Sequence, residues 1–229
     1  MEKVQFDNDN FILYAPDSLS IITEGLEDIL NSSFEFYKKL FGVGSFKKIQ
    51  INFFDDLGKF REFIYDLRGD NESLPEYATG TFDQGMINMC LSPNIKNDNP
   101  NLNHYKHCAS HELFHIMYQE LVWEKLGMKR IIWFDEGMAQ LFSGEYNFTK
   151  DSYDKFLNEV RKTTMEVPNL NEISHGTSFK NDKYNGYLLS LIAVKEIYDK
   201  LGFEKFRKIM YNEDEIIKYG ESILSNIFN

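Results

Sequence analysis

The sequence predicts an α+β fold in one domain spanning residues 1–229: a small N-terminal lobe on a mixed β-sheet (about 1–100), then a mainly helical C-terminal lobe (about 101–229). Three observations carry this expectation. Residues 48–54 (KIQINFF) alternate in polarity and are rich in strand formers, which reads as a half-buried strand. Residues 78–91 (ATGTFDQGMINMCL) read as a hairpin turning at Asp83-Gln84-Gly85, because residues that tolerate positive φ sit between two β-rich runs. From about residue 101 the apolar positions recur at helical spacing, most clearly over 105–126, and Gly127 supplies the stop.

The remaining elements follow in order. Residues 11–14 fit a strand, and 17–40 have helical spacing that ends near Gly42. Residues 57–67 read as a helix stopped by Gly69, and 131–142 as the helix after the long one. Further helices are expected over 153–161, 182–201, 203–211 and 213–227. Residues 168–179 (PNLNEISHGTSF) form the main irregular stretch, and no repeat or low-complexity tract is present.

Composition bounds the function. The chain is 42% apolar and 15% aromatic, with 20 Phe and 13 Tyr, enough for a sizeable core. Its 25 basic residues face 36 acidic ones, a net charge of −11. That balance argues against nucleic acid or an anionic membrane as partner, since both require basic patches. Cys90 and Cys108 are too few for a disulfide-held secreted domain and read as thiols in a reducing compartment. The opening MEKVQFDNDNFILYAPD lacks a signal-peptide pattern, no pro-segment is evident, and no apolar run reaches about 18 residues. The expectation is a cytoplasmic protein with no membrane span.

The chemistry concentrates at His111-Glu112-Leu113-Phe114-His115. On a helix, side chains four residues apart leave one face about one turn apart. Two neutral imidazoles so placed can share one Zn²⁺ at about 2.0–2.1 Å. Glu112, beside the first histidine, can reach a water at the metal without ligating it, take its proton, and pass that proton to a leaving amine. The bland alternative is an amphipathic helix with two surface histidines. A catalytic zinc also needs a third protein ligand, and no HExxHxxGxxH extension follows, since His115 precedes Ile-Met-Tyr-Gln-Glu-Leu.

Downstream stands Trp133-Phe134-Asp135-Glu136-Gly137-Met138-Ala139, with 20 residues between His115 and Glu136. In both motifs the chain resembles the gluzincins, the peptidase MA superfamily that includes thermolysin and the zinc aminopeptidases, over roughly residues 101–202. The resemblance implies a thermolysin-like catalytic domain, a zinc cofactor, a peptide or protein substrate, and Glu136 as third ligand on a W-x-x-E-G-x-A helix. That helix is expected to return antiparallel to the HExxH helix, with Gly137 and Ala139 small to permit close approach. Asp135 and Gln140 are candidates to support the ligands or are simply solvated, and Gln140 departs from the carboxylate many relatives carry there.

Peptide hydrolysis needs a donor to the developing oxyanion, which in many gluzincins is a Tyr or His from a later helix. The 184–190 segment (YNGYLLS) resembles that helix, and its spacing to Gly202 favours Tyr187. Tyr184, one turn earlier, and His175 are the alternatives, and each tyrosine is equally readable as packing. His107 continues the His111/His115 stripe, but it lies about 12 Å from His115 along the axis, so it reads as a rim residue, as does His104. Cys108 reads as packing. The hairpin is a second candidate region, with residues 80–82 or 86–89 as an edge for an extended substrate, or as structure alone. The GAMEN-type amine-binding motif of zinc aminopeptidases is missing, which leans the expectation toward an endopeptidase. A non-catalytic zinc-stabilised binding or scaffold protein is the rival class, and an enzyme acting on a non-peptide amide or epoxide is a third.

Overall fold

The computed structural model describes residues 3–69, 79–93 and 95–229. It is α+β, mostly helical, with a small mixed sheet. The chain divides into two units, Met1–Ile116 and Met117–Asn229.

The first unit is organised on β1 (Lys3–Asp7), β2 (Phe11–Ala15), β3 (Ile49–Phe54), β4 (Gly80–Asp83) and β5 (Met86–Cys90), in the order β1-β2-β3-β5-β4 among the described residues. β2, β3 and β5 run parallel, and β1 and β4 flank them antiparallel. Alternation sends Phe11 and Leu13 with their partners Ile49 and Ile51 to one face and Asn52 and Phe54 to the other. On the first face lies α2 (Leu26–Phe41), whose Leu26, Leu30, Phe34 and Tyr37 form a buried stripe, with the Phe34 ring edge-on to Phe11 at 5.2 Å. On the other lies α3 (Leu57–Arg68), where Phe60 and Ile64 cluster with Phe54.

The expected 17–40 helix is not continuous: a 3-10 turn and the short α1 (Ser20–Thr23) end before Gly25, which at φ 75° starts α2 afresh. β1 was not expected, because four of its five residues are exposed and it carries little apolar signal. The hairpin forms with a two-residue turn, Gln84-Gly85, both at positive φ (49° and 76°), the type I′ geometry that matches strand twist. Asp83 belongs to β4, and Ala78 lies outside the described residues.

α4 (Leu102–Tyr118) carries His111 and His115 and passes from the first unit into the second. Within the first unit it is fastened to α2: the Tyr37 hydroxyl lies 3.2 Å from the Ser110 carbonyl, the Ser110 hydroxyl donates to Ser33 at 2.7 Å, and the Tyr37 and Phe114 rings meet edge-on at 5.4 Å.

The second unit continues the same helical run through a π turn (Gln119–Trp123) and α5 (Glu124–Leu126), which Gly127 ends at φ 65°. The expected 105–126 helix is therefore one run with a π turn inside it. Then follow α6 (Ile132–Phe142), α7 (Lys150–Thr163), α8 (Gly186–Leu201), α9 (Phe203–Ile209) and α10 (Glu213–Phe228). α8 starts four residues later than the pattern suggested, because the Asn185 side chain caps it by accepting from the Tyr187 N–H. α6 is buried from Trp133 to Gln140. Its Gly137 lies against α8: a Cβ there would stand 2.4 Å from the Ser190 carbonyl oxygen and 2.6 Å from Val194 Cγ2. The small residue thus serves the α6–α8 approach. Trp133 is held by its indole N–H donating to Asn171 at 3.0 Å, and Asn171 in turn donates to the Ile217 carbonyl of α10 at 2.7 Å. No described helix is long and apolar enough to cross a membrane.

Candidate metal centre

The histidine arm follows from helix geometry. His111 and His115 project from adjacent turns of α4, their Nε2 atoms 3.0 Å apart and their rings at 75°. Two nitrogens bound tetrahedrally at about 2.0–2.1 Å stand roughly 3.3 Å apart, so the pair matches what one ion requires. His115 is 4% exposed, and its ring stacks on Phe82 of β4 with centroids 6.4 Å apart and planes at 30°.

Glu112 faces the same strand: a Cβ built on Gly80 would lie 3.6 Å from Glu112 Oε1 and 3.4 Å from Met89 Cε. A side chain at position 80 would thus touch the carboxylate at ordinary contact distance. Among the described residues β4 is at the sheet edge and β5 is paired on both sides. Cys90 N–H bonds to the Thr79 carbonyl at 2.7 Å, and Asp83 pairs with Met86 across the turn. By the alternation of antiparallel ladders, Thr79, Thr81 and Asp83 bond toward β5, and Gly80 and Phe82 present their backbone groups away from it. Arg68 anchors the strand, gripping both Asp83 carboxylate oxygens at 2.8 and 2.9 Å and Thr81 Oγ1 at 2.9 Å.

The carboxylate arm needs more support. Asp135 and Glu136 are adjacent near the start of α6 and 1% and 5% exposed. Arg130, immediately before the helix and not singled out by the sequence reading, donates from Nε to Asp135 Oδ2 at 2.5 Å and from Nη2 to Glu136 Oε1 at 3.2 Å. His175 Nε2 lies 3.6 Å from Glu136 Oε1 and 3.4 Å from Arg130 Nη1. Two buried carboxylates side by side demand such partners, because desolvation penalises an uncompensated charge heavily. Asp135 also reaches Tyr118: burial first, then the Asp135 charge, pushes that hydroxyl well above its ordinary pKa.

His111, His115 and Glu136 each offer one ligand atom, and these atoms lie within 4.8 Å of one another. The group could hold a metal ion; its donor set of two imidazoles and a carboxylate suits Zn²⁺ and other N/O-binding transition metals.

Neither Asp135 nor Gln140 is solvated. Gln140 is 4% exposed and its amide nitrogen donates to the Tyr187 carbonyl at 2.9 Å and the Glu136 carbonyl at 3.2 Å, which ties α6 to α8. Tyr187 packs its ring on Phe179 at 4.6 Å. The Tyr184 hydroxyl donates to the Ser178 carbonyl at 2.8 Å. His104 is exposed and His107 half-buried. Cys108 is buried and its thiol donates to the Tyr105 carbonyl. Burial, then Asp56 and Asp55, pushes the Cys90 thiol up, the opposite of a nucleophile's environment.

No protein-family model matches the chain, and no curated protein matches it either.

Proposed function

We propose that the protein is a zinc-dependent peptide hydrolase of the gluzincin type, thermolysin-like in plan, cutting extended peptide or protein segments internally. The observation that carries the reading is Glu112 lying between two histidines whose Nε2 atoms converge, with Glu136 within ligand range of both. Metal holding alone does not require a carboxylate at position 112.

Zn²⁺ bound by His111, His115 and Glu136 would supply a Lewis acid for the scissile carbonyl and acidify the attacking water. Glu112 takes the proton of that water and hands it to the leaving amine. Gly80 and Phe82 offer outward-facing N–H and C=O groups with which an extended substrate backbone can pair, antiparallel or parallel, as an added strand. Gly80 leaves room for that backbone beside Glu112. For the oxyanion donor the resemblance favours Tyr187, and the position of His175 against Glu136 favours the imidazole. Tyr187→Phe and His175→Ala decide between them: the true donor's loss lowers kcat by about 10²–10³-fold with KM little changed.

The test of the function is hydrolysis of a mixed peptide library by the zinc-loaded protein beside a chelator control, with products read by mass spectrometry. Internal cuts that vanish with chelator support the reading. Absence of cleavage by protein holding one zinc per chain overturns it in favour of a zinc-stabilised binding protein.

A further inference from the structure

We infer that Arg130 is the resident counter-charge of the Asp135–Glu136 pair, holding Glu136 in place in the metal-free protein and yielding it when a cation binds. The inference rests on the metal-site reading above and deepens it. It makes Arg130 a stand-in charge for one ligand, displaced when the ion takes its place.

The two carboxylates follow one another on α6, both nearly inaccessible, with no side-chain cap at the helix start. Helix-dipole attraction helps carboxylates in a first turn, but it is too weak to balance two buried charges. Arg130 meets both from one guanidinium, which a lysine ammonium cannot match, because the planar fork presents donors along several edges at once. Its two grips are unequal. The Nε bond to Asp135 is 2.5 Å, and the Nη2 contact to Glu136 is 3.2 Å. The short bond fixes the guanidinium, so the long one can be given up without losing the arginine's place. His175 also faces the same Glu136 oxygen, at 3.6 Å, while Arg130 brings it a permanent charge. The arginine side chain is 28% exposed, so its own desolvation is modest. A divalent ion arriving at Glu136 then replaces one positive partner by another, and the carboxylate is never left buried without one.

The experiment uses the full chain as wild type, Arg130→Gln and Arg130→Lys, each stripped with chelator and then loaded with Zn²⁺. Thermal midpoints are read in both forms, and zinc affinity by competition with a chromophoric chelator. The expected result is that Arg130→Gln lowers the metal-free midpoint by roughly 2–4 °C or more and the loaded midpoint by less than half as much. The zinc-induced rise therefore exceeds that of wild type. Arg130→Lys recovers part of the metal-free loss, because the charge remains and reaches only one carboxylate. Equal drops in both forms would mark an ordinary structural residue and overturn the inference, as would an unchanged metal-free midpoint. Should Arg130→Gln fail to fold, Arg130→Lys decides by the same comparison of its two forms. Wild type that binds no zinc overturns the metal reading and this inference together; wild type that binds one zinc with equal drops overturns the inference alone.

Discussion

The histidine arm and the carboxylate arm of the candidate centre are built by different means. His111 and His115 converge because they stand four residues apart on one helix, and little beyond helix formation is asked of the surrounding chain. Glu136 depends on tertiary structure: Gly137 letting α8 approach, Gln140 tying α6 to the Tyr187 carbonyl, Trp133 held by Asn171, and Arg130 balancing the charge. The difference teaches that a bidentate helical motif is robust to changes around it, whereas a single ligand from a second element is only as well placed as its scaffold.

The sharpest way to break the comparison is to substitute the two glycines that flank the arms. Gly137→Ala drives a methyl to 2.4 Å from a backbone oxygen. Such overpacking is expected to cost about 1–3 kcal/mol or more, visible in urea unfolding, and to weaken zinc binding with it. Gly80→Ala meets only ordinary contacts at 3.4 and 3.6 Å. It should change stability by less than about 0.5 kcal/mol and instead slow turnover by filling the space beside Glu112 that an added substrate strand would use. Similar losses of stability in both would erase the asymmetry.

A milder probe is Gln140→Leu. It removes a buried donor shared between two carbonyls while nearly keeping volume, and leaves the Tyr187 carbonyl without that amide. The expected cost is about 1–2 kcal/mol, read by chemical denaturation, with a several-fold weaker zinc affinity. An unchanged affinity would show that Glu136 does not need the α6–α8 tie.

The same division explains what was legible in the sequence. The α+β character, the 48–54 strand and the hairpin were readable because each is a local pattern of alternation or turn chemistry. So was the pairing of His111 with His115. The break at Gly25 was also written in the chain, since a glycine inside an apolar-periodic stretch is a stop signal, but the flanking periodicity masked it. β1 hides because Val4 and Phe6 are set among exposed polar neighbours, with a bulge between them. Arg130 could not have been found: an arginine five residues before an aspartate has no distinctive spacing, and only the fold turns its side chain onto Asp135 and Glu136. Nor does sequence tell that Gly137 faces α8, because smallness signals a close approach without naming the partner.

The central claim is that these arms serve catalysis. It is tested most directly by measuring zinc stoichiometry and peptide turnover on wild type, Glu112→Gln and His115→Ala. Glu112→Gln is predicted to keep one zinc per chain and lose about 10²–10⁴-fold in turnover, and His115→Ala to lose both. Full turnover in Glu112→Gln, or full zinc in His115→Ala, would contradict the account.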